Sequence, residues 1–233
     1  MRFQFQFEPV IAEWRMILDG LVLTIELSAA AILLGFAVAV LLSAVRAMGS
    51  RPAGLVVDGY VELLRNTPFL VQLFMVFFGL PELGIRLNAT QAALLAMTLN
   101  LSAYAAEIIR AGIDSIHHSQ LEAGYALALT PRQVFQHVIL VPAIAKVWPA
   151  LSSQFVLMML ASSITSFISV QELSGTAAVI ESRSFRSIES YIVATLLYLV
   201  LALLLKLALW GVGRAAFPRV SGLARVQTKG ESA

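Results

Sequence analysis

Apolar residues in this sequence come in long runs separated by short polar segments. Five runs are long enough to cross a hydrocarbon core about 30 Å thick, which takes about 20 helical residues. They lie at about 17–45, 54–80, 89–112, 142–170 and 188–213. The first and fifth are the most continuous. Arg65-Asn66-Thr67-Pro68 interrupts the second, and Pro142, Pro149 and a serine-rich centre interrupt the fourth. The pattern predicts an all-α integral membrane protein with five transmembrane helices. It reads as a single transmembrane domain over 1–233, with a polar insert at 113–138 and a tail at 218–233. The segment "MRFQFQFEPVIAEWRM" lacks the basic-then-apolar order of a cleavable signal, so the first span is expected to direct insertion.

The insert holds the stretch "SQLEAGYALALTPRQVFQHV" (119–138), which contains two helix starts. Ser119 with Glu122 fits a capping box, and Thr130 with Pro131 and Gln133 fits a second. Two short helices with a bend at Leu129–Thr130 are predicted. Leu121, Tyr125 and Leu129 recur every four residues in the first, and Val134, Phe135 and Val138 form a stripe on the second. Ala123, Gly124, Ala126 and Ala128 keep the remaining surface thin. That surface suits either the docking of another protein or a position flat on the membrane.

Composition agrees with the pattern. The chain is 59% hydrophobic and 13% charged, with a mean hydropathy of +0.83, against about a quarter charged in soluble domains. With no cysteine there is no disulfide, thiol nucleophile or Cys-ligated metal. His117, His118 and His137 flank the insert without a carboxylate constellation, so no metal site is expected. Net charge is only +2, and Lys and Arg gather at segment ends rather than on a nucleic-acid-binding face. With the N-terminus outside, nine basic residues fall inside (Arg46, Arg51, Arg110, Arg132, Lys146, Arg214, Arg219, Arg225, Lys229). Five fall outside (Arg2, Arg15, Arg86, Arg183, Arg186). The excess predicts N-outside, C-inside, with 113–138 in the cytoplasm.

Polar groups at membrane depth need partners and mark candidate paths. At Asn66, Thr67 and Pro68 a broken helix suits either a substrate path or a packing kink. Ser162, Ser163, Thr165 and Ser166 suit either a path or helix–helix hydrogen bonds. Asn100, Ser102 and Tyr104 are second-tier path candidates. Glu107 and Arg110, one turn apart, are expected to pair with each other. Lys206 is expected to snorkel or to meet a partner chain. Asp19, Glu26, Asp58 and Glu62 are the remaining deep carboxylates, and Glu26 keeps an ion-coupled secondary transporter open as an alternative. A membrane-embedded enzyme would need a nucleophile–base or metal constellation, and a structural scaffold would not need the broken spans.

The stretch "EAGYALALTPRQVFQHVILVP" resembles the EAA loop of ABC-transporter permeases, Glu-Ala-Ala, three residues, Gly, nine residues, Ile-x-Leu-Pro. Glu122 and Ala123 match; Gly124 replaces the third alanine, Ala128 replaces the glycine, and Pro142 comes one residue late. "ELLRNTPFLVQLF" (62–74), "AYAAEIIRAGIDSI" (103–116) and "FVLMMLASSITSFISVQEL" (155–173) are similar to segments of the polar amino acid permease family. Leu160 and Ala161 stand where many relatives carry Lys-Asp, which argues against a basic substrate.

The resemblance implies a permease subunit of an ATP-driven importer for polar amino acids in the bacterial inner membrane, of the type I ABC importer fold. It implies a second permease chain (a heterodimer favoured over a homodimer), two copies of a cytoplasmic ATP-binding subunit and a periplasmic solute-binding protein. No phosphate-binding Gly-x-x-x-x-Gly-Lys loop is present, so no cofactor is expected in this chain, with ATP and Mg held by the partner. Glu122, Ala123, Gly124, Ala128 and Arg132 are then the expected ATPase-coupling residues. Asn66, Thr67, Pro68, Asn100, Ser162, Ser163 and Thr165 are the expected substrate path.

Overall fold

The computed structural model describes residues 5–218. Most of the expected tail at 218–233 lies outside the described residues. The elements are α1 (Glu8–Ala12), α2 (Trp14–Met48), α3 (Arg51–Arg65), α4 (Phe69–Glu82) and α5 (Ala89–Asp114). They continue with α6 (His118–Ala126), α7 (Pro131–Ile168), α8 (Leu173–Ser184) and α9 (Ser187–Ala216). No strand occurs among the described residues.

Four helices, α2, α5, α7 and α9, are long and apolar enough to cross a membrane singly. The second expected span is the pair α3 and α4, bent by 106° across Asn66–Pro68. Tyr60 touches Leu99 and Ser102 of α5, and Arg65 touches Tyr104 and Glu107. The two sets of contacts are five residues apart on each helix, so this stretch of α3 runs alongside α5 for about a turn and a half. Its buried positions, Val57 and Val61 with the half-buried Tyr60 and Leu64, fall on one helical face.

The fourth span departs from expectation at its start. It does not begin at Pro142 but runs on from Pro131, through a π-helical stretch at Val134–Leu140. Pro142 has no N–H for the carbonyl four residues back, and widened turns just upstream absorb that defect without breaking the helix.

α5 is the centre of the bundle. Two-thirds (67%) of its most apolar window is buried, against 28% for α2 and 11% for α9. α2 packs on it through a stripe of small residues, including Ser28, Ala31, Gly35, Ala39 and Ser43. Lipid tails compete equally for large apolar side chains, so close backbone approach through small residues is what holds such helices together. At Gly35 an added Cβ would fall 3.0 Å from Leu101. α8 closes the other end against α2, where Gly20 leaves room for Thr176.

Candidate coupling surface and translocation path

The polar insert folds as α6, a tight turn and the first turns of α7. Its root is fixed by backbone contact: a Cβ at Gly112 would fall 2.8 Å from the Ala143 carbonyl oxygen, and Lys146 Nζ donates to the Ser115 carbonyl at 3.4 Å. The expected capping box at Ser119 and Glu122 is not formed. The N-cap is His117, whose Nδ1 accepts from the Ser119 amide, and Glu122 instead meets His118 Nδ1 at 3.0 Å. The helix starts two residues earlier than the serine suggested, and the acid is left facing outward. The second box is formed in both directions between Thr130 and Gln133, with Pro131 at the first helical position. The bend sits at Leu127–Thr130, where Ala128 adopts a left-handed φ of 54°.

Gly124 is buried, and a Cβ there would meet Val134 and Val138 at 3.3 and 3.4 Å. Its close approach is to its own chain, and it clamps α6 onto α7. Val134 and Phe135 are buried in the same contact. Glu122, Ala123, Ala128 and Arg132 are exposed. Beside them stand two large exposed apolar side chains, Tyr125 and Leu127. The sequence pattern put Tyr125 on an apolar edge and gave Leu127 no role. The result is an outward surface with an acid, a base, small residues and two apolar knobs, held on a braced hairpin.

Above the hairpin is a charged cluster. Arg110 binds Glu107 bidentately and Asp114 at 2.9 Å, Arg65 reaches Glu107 at 3.5 Å, and Arg46 pairs with Asp58. These groups join α2, α3 and α5 around a cavity of about 270 Å³. The expected Glu107–Arg110 pair is thus one link of a larger network, and Asp58 is tied up in it. Asp19, Glu26 and Glu62 lie on exposed faces.

The break in the second span is satisfied from within. Pro68 has no N–H for the Leu64 carbonyl, and Gln72 Nε2 takes that place at 2.7 Å. The same amide donates to Thr67 Oγ1 at 2.8 Å, while Gln72 Oε1 accepts from Asn100 Nδ2 at 2.9 Å. Asn66 and Thr67 back-bond to the carbonyls of Glu62 and Leu63. Asn100 is therefore 5% exposed and committed to the break; Asn66 and Pro68 are exposed.

The hydroxyl cluster forms a 3₁₀ segment, Ser162–Ile168, that ends α7. Ser162, Ser163, Thr165 and Ser166 each donate to the carbonyl three residues back, at 2.7–2.8 Å. Ser162 and Thr165 are fully buried. Ser163 and Ser166 line an open groove of about 640 Å³ with Ser169, Gln171, Ser174 and Tyr191. The chain then turns at Ser169, φ 66°, into Glu172, which is completely buried. Its carboxyl group accepts from the Ser174 and Gly175 amides at 2.9 Å and from the Tyr198 hydroxyl. Nothing in the local sequence marks Glu172 as a buried cap, because Tyr198 reaches it from another helix.

A profile of the family described as "Binding-protein-dependent transport system inner membrane component" matches residues 31–209. The chain belongs to this family. It is 32% identical over 200 residues to the arginine transport system permease protein ArtQ of Bacillus subtilis, covering 85% of this chain and 91% of ArtQ. It is 36% identical over 188 residues to the probable glutamine ABC transporter permease protein GlnM of the same organism, covering 81% of this chain and 87% of GlnM. A crystal structure of an amino acid ABC transporter with histidines superposes at a TM-score of 0.82 and 32% identity. That match covers 91% of this chain and 100% of the other. This is the permease fold of ABC importers, a transporter component and not itself an enzyme. The fold works with a separate ATP-binding subunit and a substrate-binding protein. The alternatives of an ion-coupled carrier or a scaffold are not favoured.

Proposed function

We propose that this chain forms half of the path of an ATP-driven importer for polar amino acids in a bacterial inner membrane. In this reading α3 and α4 make one broken crossing, giving five, with the N-terminus periplasmic and the C-terminus cytoplasmic. The observation that carries the coupling role is the outward surface of the α6–α7 hairpin. Glu122, Ala123, Tyr125, Leu127 and Arg132 face outward, while Gly124 locks the helix to α7 and Gly112 locks α5 to α7. A push on α6 is therefore delivered to two membrane helices at once. Two copies of a cytoplasmic ATP-binding subunit would bind here, one on each permease chain, and hold the ATP and Mg.

The substrate path in this reading runs past the exposed backbone at Asn66–Pro68 and the groove lined by Ser163 and Ser166. The second permease chain, a different one rather than a second copy, would complete it. The relatives' names span arginine and glutamine; the absence of an acid at Ala161 supports an uncharged polar side chain here.

Glu122→Lys tests the coupling role. It inverts the charge on an exposed face, so insertion and expression are expected to be unchanged while amino acid uptake by the complex falls at least about tenfold, the loss of one charge-assisted contact. Uptake at the wild-type rate would remove Glu122 from the docking surface.

A further inference from the structure

Between α7 and α9 the surface opens into a groove of about 700 Å³ lined mainly by carbon. Its floor is Trp148. The indole lies so close to Gly213 that an added Cβ would fall 2.4 Å from Nε1, and its N–H donates to the Leu209 carbonyl at 3.0 Å. Along one wall Lys206, Trp210 and Arg214 follow at four-residue spacing, one face of α9. The Arg214 guanidinium sits 4.7 Å from the centre of the Trp210 ring. Neither Lys206 nor Arg214 has a carboxylate partner among the described residues, and no carboxylate lines the groove. On the opposite wall stand Ser152, Val156 and Leu157.

An unpaired ammonium within an apolar run is costly in hydrocarbon. Carbon walls and two uncompensated cations match one ligand chemistry. We propose that this groove binds an anionic phospholipid, its phosphate between Lys206 and Arg214. An acyl chain lies along Pro149, Val156 and Leu157. Basic pockets between membrane helices take anionic head groups in this way. A carboxylate from a second permease chain would satisfy one cation only and leave the apolar trough uncovered.

The test is native mass spectrometry of the purified complex titrated with dioleoylphosphatidylglycerol or dioleoylphosphatidylcholine, with thermal melting in each lipid. The wild type is expected to retain the anionic lipid in preference and to melt higher in it. Lys206→Gln with Arg214→Gln should weaken its retention about thirtyfold, from about fivefold per basic residue, and abolish the melting difference; Lys206→Arg should keep both. Ser152→Phe, which fills the groove without touching the cations, should also reduce retention if the double variant does not fold. Equal retention of the two lipids by the wild type overturns the proposal, as does unchanged retention in the double variant and in Ser152→Phe. A cross-link from Lys206 to a carboxylate of a neighbouring permease chain would replace the lipid with that chain.

Discussion

Pro68 orphans the Leu64 carbonyl, and Gln72 repairs the defect while gripping Asn100 on α5. Gln72→Leu removes every one of those contacts at once, so it should destabilise the protein by about 1–3 kcal/mol, read as earlier unfolding in detergent. Asn100→Leu should cost less, because Gln72 keeps its bonds to the break. The hydroxyl cluster divides in the same manner. Ser163→Leu should impair uptake without dissociating the complex, since its side chain faces the groove. Ser162→Leu should instead lower the unfolding temperature, since that position is fully buried. Equal uptake loss without instability for both would contradict that division. A proline's missing donor is written in one letter, so the break at 65–68 was legible in the sequence. Gln72 and Glu172 were not, because what makes them matter is a partner on another helix.

At the scale of elements, the apolar runs foretold α2, α5 and α9 to within a few residues, because continuous hydrophobicity and helix length carry the same information in a membrane. The two proline-bearing spans were less legible. One is bent by 106° and the other is lengthened through a π-helical stretch, and a single proline letter does not say which will happen. Of the two predicted caps, the one followed by proline held, since Pro131 pre-sets the first helical turn; the Ser119 box lost to His117 two residues earlier. Thr130→Ala should therefore loosen the start of α7 by about 1 kcal/mol, and Ser119→Ala should do less, both measured by amide hydrogen exchange. Gly124→Val should drive the side chain into Val134 and Val138 and displace α6. Its expected signature is a loss of transport coupling with the chain still inserted; normal coupling would mean that the Gly124 contact is not the clamp.

The whole molecule is a small-residue-packed bundle with a braced hairpin at one end and a polar groove at the other. The absence of cysteine makes its topology directly readable, because any engineered cysteine is the only one. With the N-terminus outside, Ala123→Cys should react with a membrane-impermeant maleimide only after the cell is opened. Phe185→Cys, at the 88%-exposed turn between α8 and α9, should react in intact cells. The reverse pattern would invert the orientation, and reaction of both from one side would contradict the number of crossings between them.

In the proposed function, amino acid delivery on one side drives ATP hydrolysis on the other through residues 118–138. The decisive measurement is the ATPase rate of the complex, with its co-purifying chains, in lipid nanodiscs with its binding protein and each of the twenty amino acids. Stimulation by one or a few polar amino acids is expected, abolished by Glu122→Lys. An ATPase that co-purifies yet responds to no amino acid, or responds equally in the Glu122→Lys complex, would contradict it.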